Sequence, residues 1–397
     1  MAGPDLKGLV QPALLEWARK QSHMDLATAA KSAGQTEDRL REWEAGSRVP
    51  TLNQLRTLAK VYRRSVGVFF LEEIPKAIRR PPVDFRRFEL STDNLMSPAL
   101  ANGIREAEAK RDAALDIFAQ LEEQPPEWNL DLPPEVHPEG AAAFLLKRLS
   151  ITMHDRTKWS SAYEALNGWR TAVESLGVLV VQFSGISMSE MRGCSLATFP
   201  LPVIILNSSD SPLGRIFTLL HELTHLARNE GGLCDLREDD PRSRDRDAIE
   251  EYCNFVAGAM LVPEGELLQR SDVVLAASDT AWTMEQLKEM RRVFWASSEV
   301  LLRRLLILGK TPQAYYRTMK EYFEREYAAH RERQSEDPVM VPYYRRVLLS
   351  NGKYLTRLAV DAYRASTITG TELSRILNAK LDHLPKIREA LYGEVVA

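Results

Sequence analysis

Residues 217–232 read FTLLHELTHLARNEGG, and no other stretch restricts the fold and chemistry of this chain as tightly. His221 and His225 are four apart, with Glu222 directly after the first. On a helix, positions i and i+4 share one face, so both imidazoles can reach one metal ion. Glu222 projects beside them, placed to act on a water rather than on the metal. Zinc lowers the pKa of such a water toward about 7, and the glutamate takes its proton as it attacks a peptide carbonyl. The apolar FTLL before His221 anchors the helix in a core, and LPVIILNSS (201–209) just upstream reads as a strand. The pattern predicts a zinc-binding catalytic helix holding one Zn2+ per chain.

A catalytic zinc site needs a third protein ligand and an open position. No third histidine follows at short range, which disfavours the HExxHxxGxxH arrangement. A carboxylate is left, and the candidates run through DLREDDPRSRDRDAIEEYCNFVAGAMLVP (235–263). Its acidic stretch 235–247 also holds four arginines and reads as a solvated loop. IEEYCNFVAGAML has helical apolar spacing at Ile249, Cys253, Val256 and Met260, with Glu250 and Glu251 at the start of that helix.

The rest of the chain sets the frame. At 397 residues it is too long for one typical core, so two or three domains are expected. A net charge of −3 gives no bulk pull toward DNA or membranes, and any nucleic-acid binding must come from one segment. Cys194, Cys234 and Cys253 form no CxxC pair, which argues against a disulfide framework and fits a reducing cytosol. Cys253 reads as a small core residue and Cys234 as a loop thiol. The N-terminus lacks a signal-peptide pattern. No apolar run reaches the roughly 18 residues of a membrane span, so a cytoplasmic protein with no membrane partner is expected.

Helical spacing recurs in five short segments of the first 72 residues: LLEWARK, DLATAAKSAG, TEDRLREWEAG, TLNQLRTLAKVY and SVGVFFLEE. Residues 74–90 carry proline and clustered arginine without periodicity and read as an extended linker. A long helix is expected over 97–123, a proline-rich loop over 124–140, and helix again over 141–176. GVLVVQFSG (177–185) and 201–209 are the clearest strands, and MRGCSLATF between them can supply a third. From about 283 onward the pattern is helical. The expected fold class is mainly α with a small sheet: an N-terminal all-α domain, a central α+β domain and a C-terminal helical region.

GVLVVQF, RGCSLATFPLPVIILN, FTLLHELTHL and ExxCN-xxA-xxLVP together resemble the ImmA/IrrE family of zinc metallopeptidases. That family's second motif is typically ExxANxFAxxLLxP. Placed on this chain, Glu250, Asn254 and Pro263 fall on its glutamate, asparagine and proline, while Cys253 stands where alanine is usual and Val256-Ala257 where Phe-Ala is usual. The resemblance implies Glu250 as the third ligand, with His221, His225 and the base Glu222. Glu251 would point about 100° around the helix and is the fallback. His154 is a candidate oxyanion group, but nothing in the sequence places it near the metal.

GQTEDRLREWEAG (34–46) resembles the helix-turn-helix of Cro/C1-type (XRE) repressors through Gly34, Thr36, Leu40, Trp43, Glu44 and Gly46, with Ala29 and Ala30 as packing positions in the preceding helix. The resemblance covers roughly residues 11–70. A recognition helix presents its N-terminal residues to the major groove. Here these are Thr36, Glu37, Asp38, Arg39 and Arg41, with Arg48 as a phosphate contact. Arg39 and Arg41 suit guanine and phosphate, whereas Glu37 and Asp38 face phosphates unfavourably or accept from cytosine. Residues 1–75 hold eleven Lys+Arg against nine Asp+Glu, a weak surplus. The P-x-D-F-R stretch within RRPPVDFRRF (79–88) is similar to one in fusions of these two domains, and reads as a structured connector rather than a DNA arm.

The implied organisation is a Cro/C1-type domain at 1–73, a linker and connecting helix at 74–140, a zincin-like metallopeptidase domain at 141–282, and a C-terminal helical domain at 283–397. The implied function is a transcriptional regulator with a zinc-dependent endopeptidase domain. It would bind a double-stranded DNA operator and cleave a helix-turn-helix repressor, its substrate strand pairing with an edge of the sheet at the 201–206 strand. The alternative is a non-catalytic DNA-binding regulator, antitoxin-like or ligand-sensing, that binds a cognate toxin or other partner. An intact Glu222 counts against it. The C-terminal helices leave room for a homodimer.

Overall fold

A computed structural model describes residues 6, 8–74, 96–133, 135–229, 243–336 and 341–393. Cys234, residues 235–242 of the expected 235–247 loop and all but the first residue of the expected 74–90 linker lie outside these, while residues 243–247 of that expected loop are helical instead. The chain divides into two compact units, Met1–Glu106 and Ala107–Ala397.

The first unit is built on four helices, α1 (Pro12–Gln21), α2 (Leu26–Ala33), α3 (Glu37–Glu44) and α4 (Leu52–Val61). Its core is Leu14, Leu15, Ala18, Ala29, Ala30, Leu40, Trp43, Leu55, Leu58, Tyr62 and Phe69, all buried. The segment expected as a fifth helix is instead a 3-10 turn at Val66–Phe70. Ser65 enters it by accepting the Gly67 amide at 3.3 Å, and Phe69 anchors it in the core.

The α2–α3 turn follows from three residues. Asp25 caps α2 by accepting the Thr28 amide at 2.7 Å, Gly34 ends it with φ of 63°, and Thr36 caps α3 through the Arg39 amide at 3.3 Å. A left-handed residue at that position costs glycine least. Arg19 on α1 grips Glu44 on α3 with two hydrogen bonds of 2.7 and 2.8 Å.

Helix α5 (Pro98–Gln120) begins in the first unit and continues into the second. Then follow α6 (Pro138–Leu149), α7 (Met153–Thr157) and α8 (Ala162–Glu174), so the expected return to helix at 141 starts three residues earlier, with Pro138 in the first turn. The sheet is β1 (Leu179–Phe183), β2 (Gly193–Leu196) and β3 (Val203–Asn207) in the order β1-β3-β2. β1 runs parallel to β3 and β2 antiparallel to it.

This order corrects one expectation. The 201–206 strand is central and bonded on both sides, so it has no edge to offer a substrate. The two edges are β1 and β2.

Helices α9 (Pro212–Ala227) and α10 (Ser243–Leu261) pack on each other, and α9 also packs on β2 and β3. Short helices α11 (Glu264–Leu268) and α12 (Ser271–Val274) lead to α13 (Met284–Phe294), α14 (Ser298–Ile307) and α15 (Gln313–Glu336). The C-terminal helices are α16 (Tyr343–Asn351), α17 (Lys353–Arg364), α18 (Gly370–Leu377) and α19 (Leu384–Tyr392). The fold is mainly α around one small sheet. Among the described residues, no helix is long and apolar enough to cross a membrane.

Candidate metal centre and nucleic-acid interface

Helix α9 is locked from its first turn. Ser211 caps it through the Gly214 amide at 3.1 Å, and Pro212 opens it. A Cβ at Gly214 would meet the Asp210 carboxylate at 2.4 Å, so glycine lets that buried acid lie against the helix start. Leu213, Ile216, Leu219, Leu220, Leu223 and Leu226 are buried on the core side. Gly193 allows β2 to lie close on the helix, since a Cβ there would stand 2.3 Å from Thr218 Cγ2.

The two histidines present their Nε2 atoms 3.0 Å apart, with rings nearly edge to face. Helix α10 brings Glu250 to the same point. Its Oε2 lies 3.2 Å from His221 Nε2 and its Oε1 3.3 Å from His225 Nε2. Among the described residues, these three side chains form the group whose ligand atoms converge within 4.8 Å. Glu251 is exposed and outside the group.

The donor set fits zinc. Ligands at the usual distances of about 2.0–2.2 Å on a tetrahedron stand about 3.3 Å from one another, close to the three separations seen. His225 is fully buried, so the site has a dry inner wall. Burial pulls the Glu250 carboxyl up, but hydrogen bonds from both histidines and their charge outweigh it and hold it near 2. The carboxylate is therefore ionised, the form a cation needs.

Glu222, buried at 2% exposure, lines the same cleft. That cleft holds about 280 Å³, and Phe217, Asn254, Arg192 and Glu299 also face it. Phe217 stacks on the His221 ring at 6.4 Å. Arg192 and Glu299 were not singled out from sequence. Arg192 sits in the quoted RGCS stretch just before β2, while Glu299 comes from α14, where no local pattern marks it. His154 is exposed and does not line the cleft. Cys253 is fully buried, as a core residue should be.

The far end of α10 is held by buried arginines. Arg156 donates to the carbonyls of Leu261 and Met260 at 2.6 and 2.8 Å. Arg304 donates to the Val262 carbonyl at 3.0 Å and pairs with Glu139 at 2.6 Å. Cationic donors at a helix C-terminus satisfy its last carbonyls and complement its dipole. They fix the helix that carries Glu250.

In the first unit, α3 exposes Thr36, Glu37, Asp38 and Arg41, with Arg39 half-buried and Arg48 exposed just beyond. The basic groups are already paired: Arg41 with Asp38 at 2.9 Å, and Arg39 and Arg48 with Glu42 at 3.6 and 3.2 Å. Such exposed pairs are weak. Leu40 and Trp43 face inward, which leaves Thr36, Glu37, Asp38 and Arg41 on the outward face.

Two stretches match known protein families. Residues 173–306 match the family model of the IrrE N-terminal-like domain, a peptidase family, and residues 15–69 match that of a helix-turn-helix. Together they reproduce the fusion that the motifs resembled. No curated protein and no solved structure matches the chain.

Proposed function

We propose that this chain, which joins a helix-turn-helix domain of DNA-binding regulators to an IrrE N-terminal-like peptidase domain, is a transcriptional regulator that cleaves a helix-turn-helix repressor with zinc. The observation that carries the reading is the meeting of His221, His225 and Glu250 at one point, beside a buried Glu222. In this reading residues 1–73 bind an operator, 141–282 hold the peptidase, and the site works in the cytoplasm.

Zinc held by the three side chains would supply a Lewis acid for the scissile carbonyl and lower the pKa of the attacking water. Glu222 would take that water's proton on its carboxylate and return it to the leaving amine. Because β3 is enclosed, a substrate strand would pair with β2, the edge strand beside α9. Arg192, at the entrance to β2, would meet that strand first.

At the operator, Thr36, Glu37, Asp38, Arg39 and Arg41 would enter the major groove and Arg48 would hold a phosphate. The test is incubation of zinc-loaded full chain with helix-turn-helix repressors encoded beside it, followed by mass spectrometry of the products. A single internal cut, abolished by chelation and restored by zinc, supports the reading. Intact repressors at full zinc loading would favour a non-catalytic regulator, with a toxin or a ligand as its partner.

A further inference from the structure

We propose that a groove between α8 and the C-terminal helices is a binding site for a ring-bearing organic anion of nucleotide size. The groove encloses about 1010 Å³, several times the metal cleft. Ligand sites of this kind run to about 1,000 Å³ and combine apolar walls with a few convergent polar groups.

Its charge is one-sided. Arg345, Lys353 and Lys386 face it from α16, α17 and α19, with Arg170 on its floor, against two acids, Glu174 and Glu389. None of the three cations forms an ion pair among the described residues. Cations in excess of acids repel one another, and a bound anion lowers that cost.

The floor is built rather than accidental. Arg170 and Glu174 of α8 are buried and lie 3.2 Å apart. Arg170 donates to the Leu349 carbonyl at 2.6 Å. Glu174 accepts the amides of Lys353 and Tyr354 at 3.2 Å each, which caps α17. Gly352 has φ of +80°, and a Cβ there would strike the Glu174 carboxylate, so this junction is shaped around the acid. Glu174 interacts with both Arg170 and Lys353, and the four cations of the groove still outnumber its two acids.

The aromatic element comes from both walls. Tyr344 is half-buried with the Arg345 guanidinium 5.9 Å over its ring. Tyr163 stands opposite on α8 with 56% exposure. A planar ring can lie on these side chains while its phosphate or carboxylate meets Arg345, Lys353 and Lys386. Tyr163 also lies 5.7 Å from the Arg215 guanidinium of α9, so one groove residue touches the helix of His221 and His225.

The test titrates phenyl phosphate and benzoate, the smallest members of the class, into full-length protein by calorimetry, with benzyl alcohol as the neutral control. Saturable binding of at least one anion and none of the alcohol is expected, and the preferred anion names the headgroup. The double variant Arg345→Ala/Lys386→Ala should weaken that binding by about tenfold or more. Lys147→Ala/Lys320→Ala, with the same change of net charge on exposed helices elsewhere, should leave it unchanged. Absence of binding by both anions overturns the proposal. So does equal weakening by the two double variants, which would mark general surface attraction.

Discussion

His225 Nε2 lies 3.3 Å from Glu250 Oε1, across the packed faces of α9 and α10. The two residues are 25 positions apart, and the contact assembles a candidate metal site from two helices. Replacing Glu250 by Gln removes one anionic donor of three. Zinc per chain after dialysis against a weak chelator should fall well below one, while Glu251→Gln should keep its zinc. Loss in the Glu251 variant alone would move the third ligand.

The same carboxylate gives a pH signature in the chelated protein. Glu250 sits near pKa 2 in the fold, against about 4.3 for an ordinary glutamate. A depressed carboxyl contributes stability above its unfolded pKa and loses it as pH falls through the folded value. The contribution is thus present at pH 5 and fades between about 4.3 and 2. Urea midpoints of wild type and Glu250→Gln should differ at pH 5 and converge by pH 2. A gap independent of pH would contradict the assignment.

Arg156 anchors the other end of α10 at 1% exposure, and burial pulls its guanidinium down to about 10. Arg156→Ala would leave two buried carbonyls without their cationic donor, a loss of about 2–4 kcal/mol. Urea unfolding measures it, and a change under 0.5 kcal/mol, roughly a surface effect, would refute the anchoring role.

Gly193→Ala tests the approach of β2 to α9. The added methyl would meet Thr218 Cγ2 at 2.3 Å, and overpacking of this kind costs about 1–3 kcal/mol. Thr218→Ser, which removes that methyl, should recover part of the loss. Failure of any recovery would place the strain at the Ile205 carbonyl, 3.0 Å from the same Cβ.

Arg41→Ala and Arg48→Ala should each weaken DNA binding across sequences and reduce the salt-dependence slope by about 1 if both contact phosphate. Fluorescence anisotropy on an operator fragment at several salt concentrations reads this. A slope unchanged in both would remove them from the interface.

What could be read from sequence follows the range of the interaction. The i, i+4 spacing of His221 and His225 and the helix end and cap at Gly34 and Thr36 are local, and each stands where the residues placed it. Glu250 and Glu251 looked alike from spacing, and the family resemblance separated them. The helix face that meets α9 is set by tertiary packing. Strand order is also tertiary, so the central place of β3 was not visible in an apolar run that suits either position. Arg156 and Arg304 act on partners 42 to 165 residues away and Glu299 on a cleft wall, and lone charged residues carry no periodic mark. Glu44 was legible as part of a pattern, and its grip on Arg19 was not.

The most direct test of the account compares wild type with Glu222→Gln, both zinc-counted and then incubated with the same repressors. The account expects about one zinc in each protein, as one three-donor site allows, and cleavage by wild type alone. Cleavage by the Gln variant at the wild-type rate would contradict the role of Glu222, and zinc in neither protein would contradict the site.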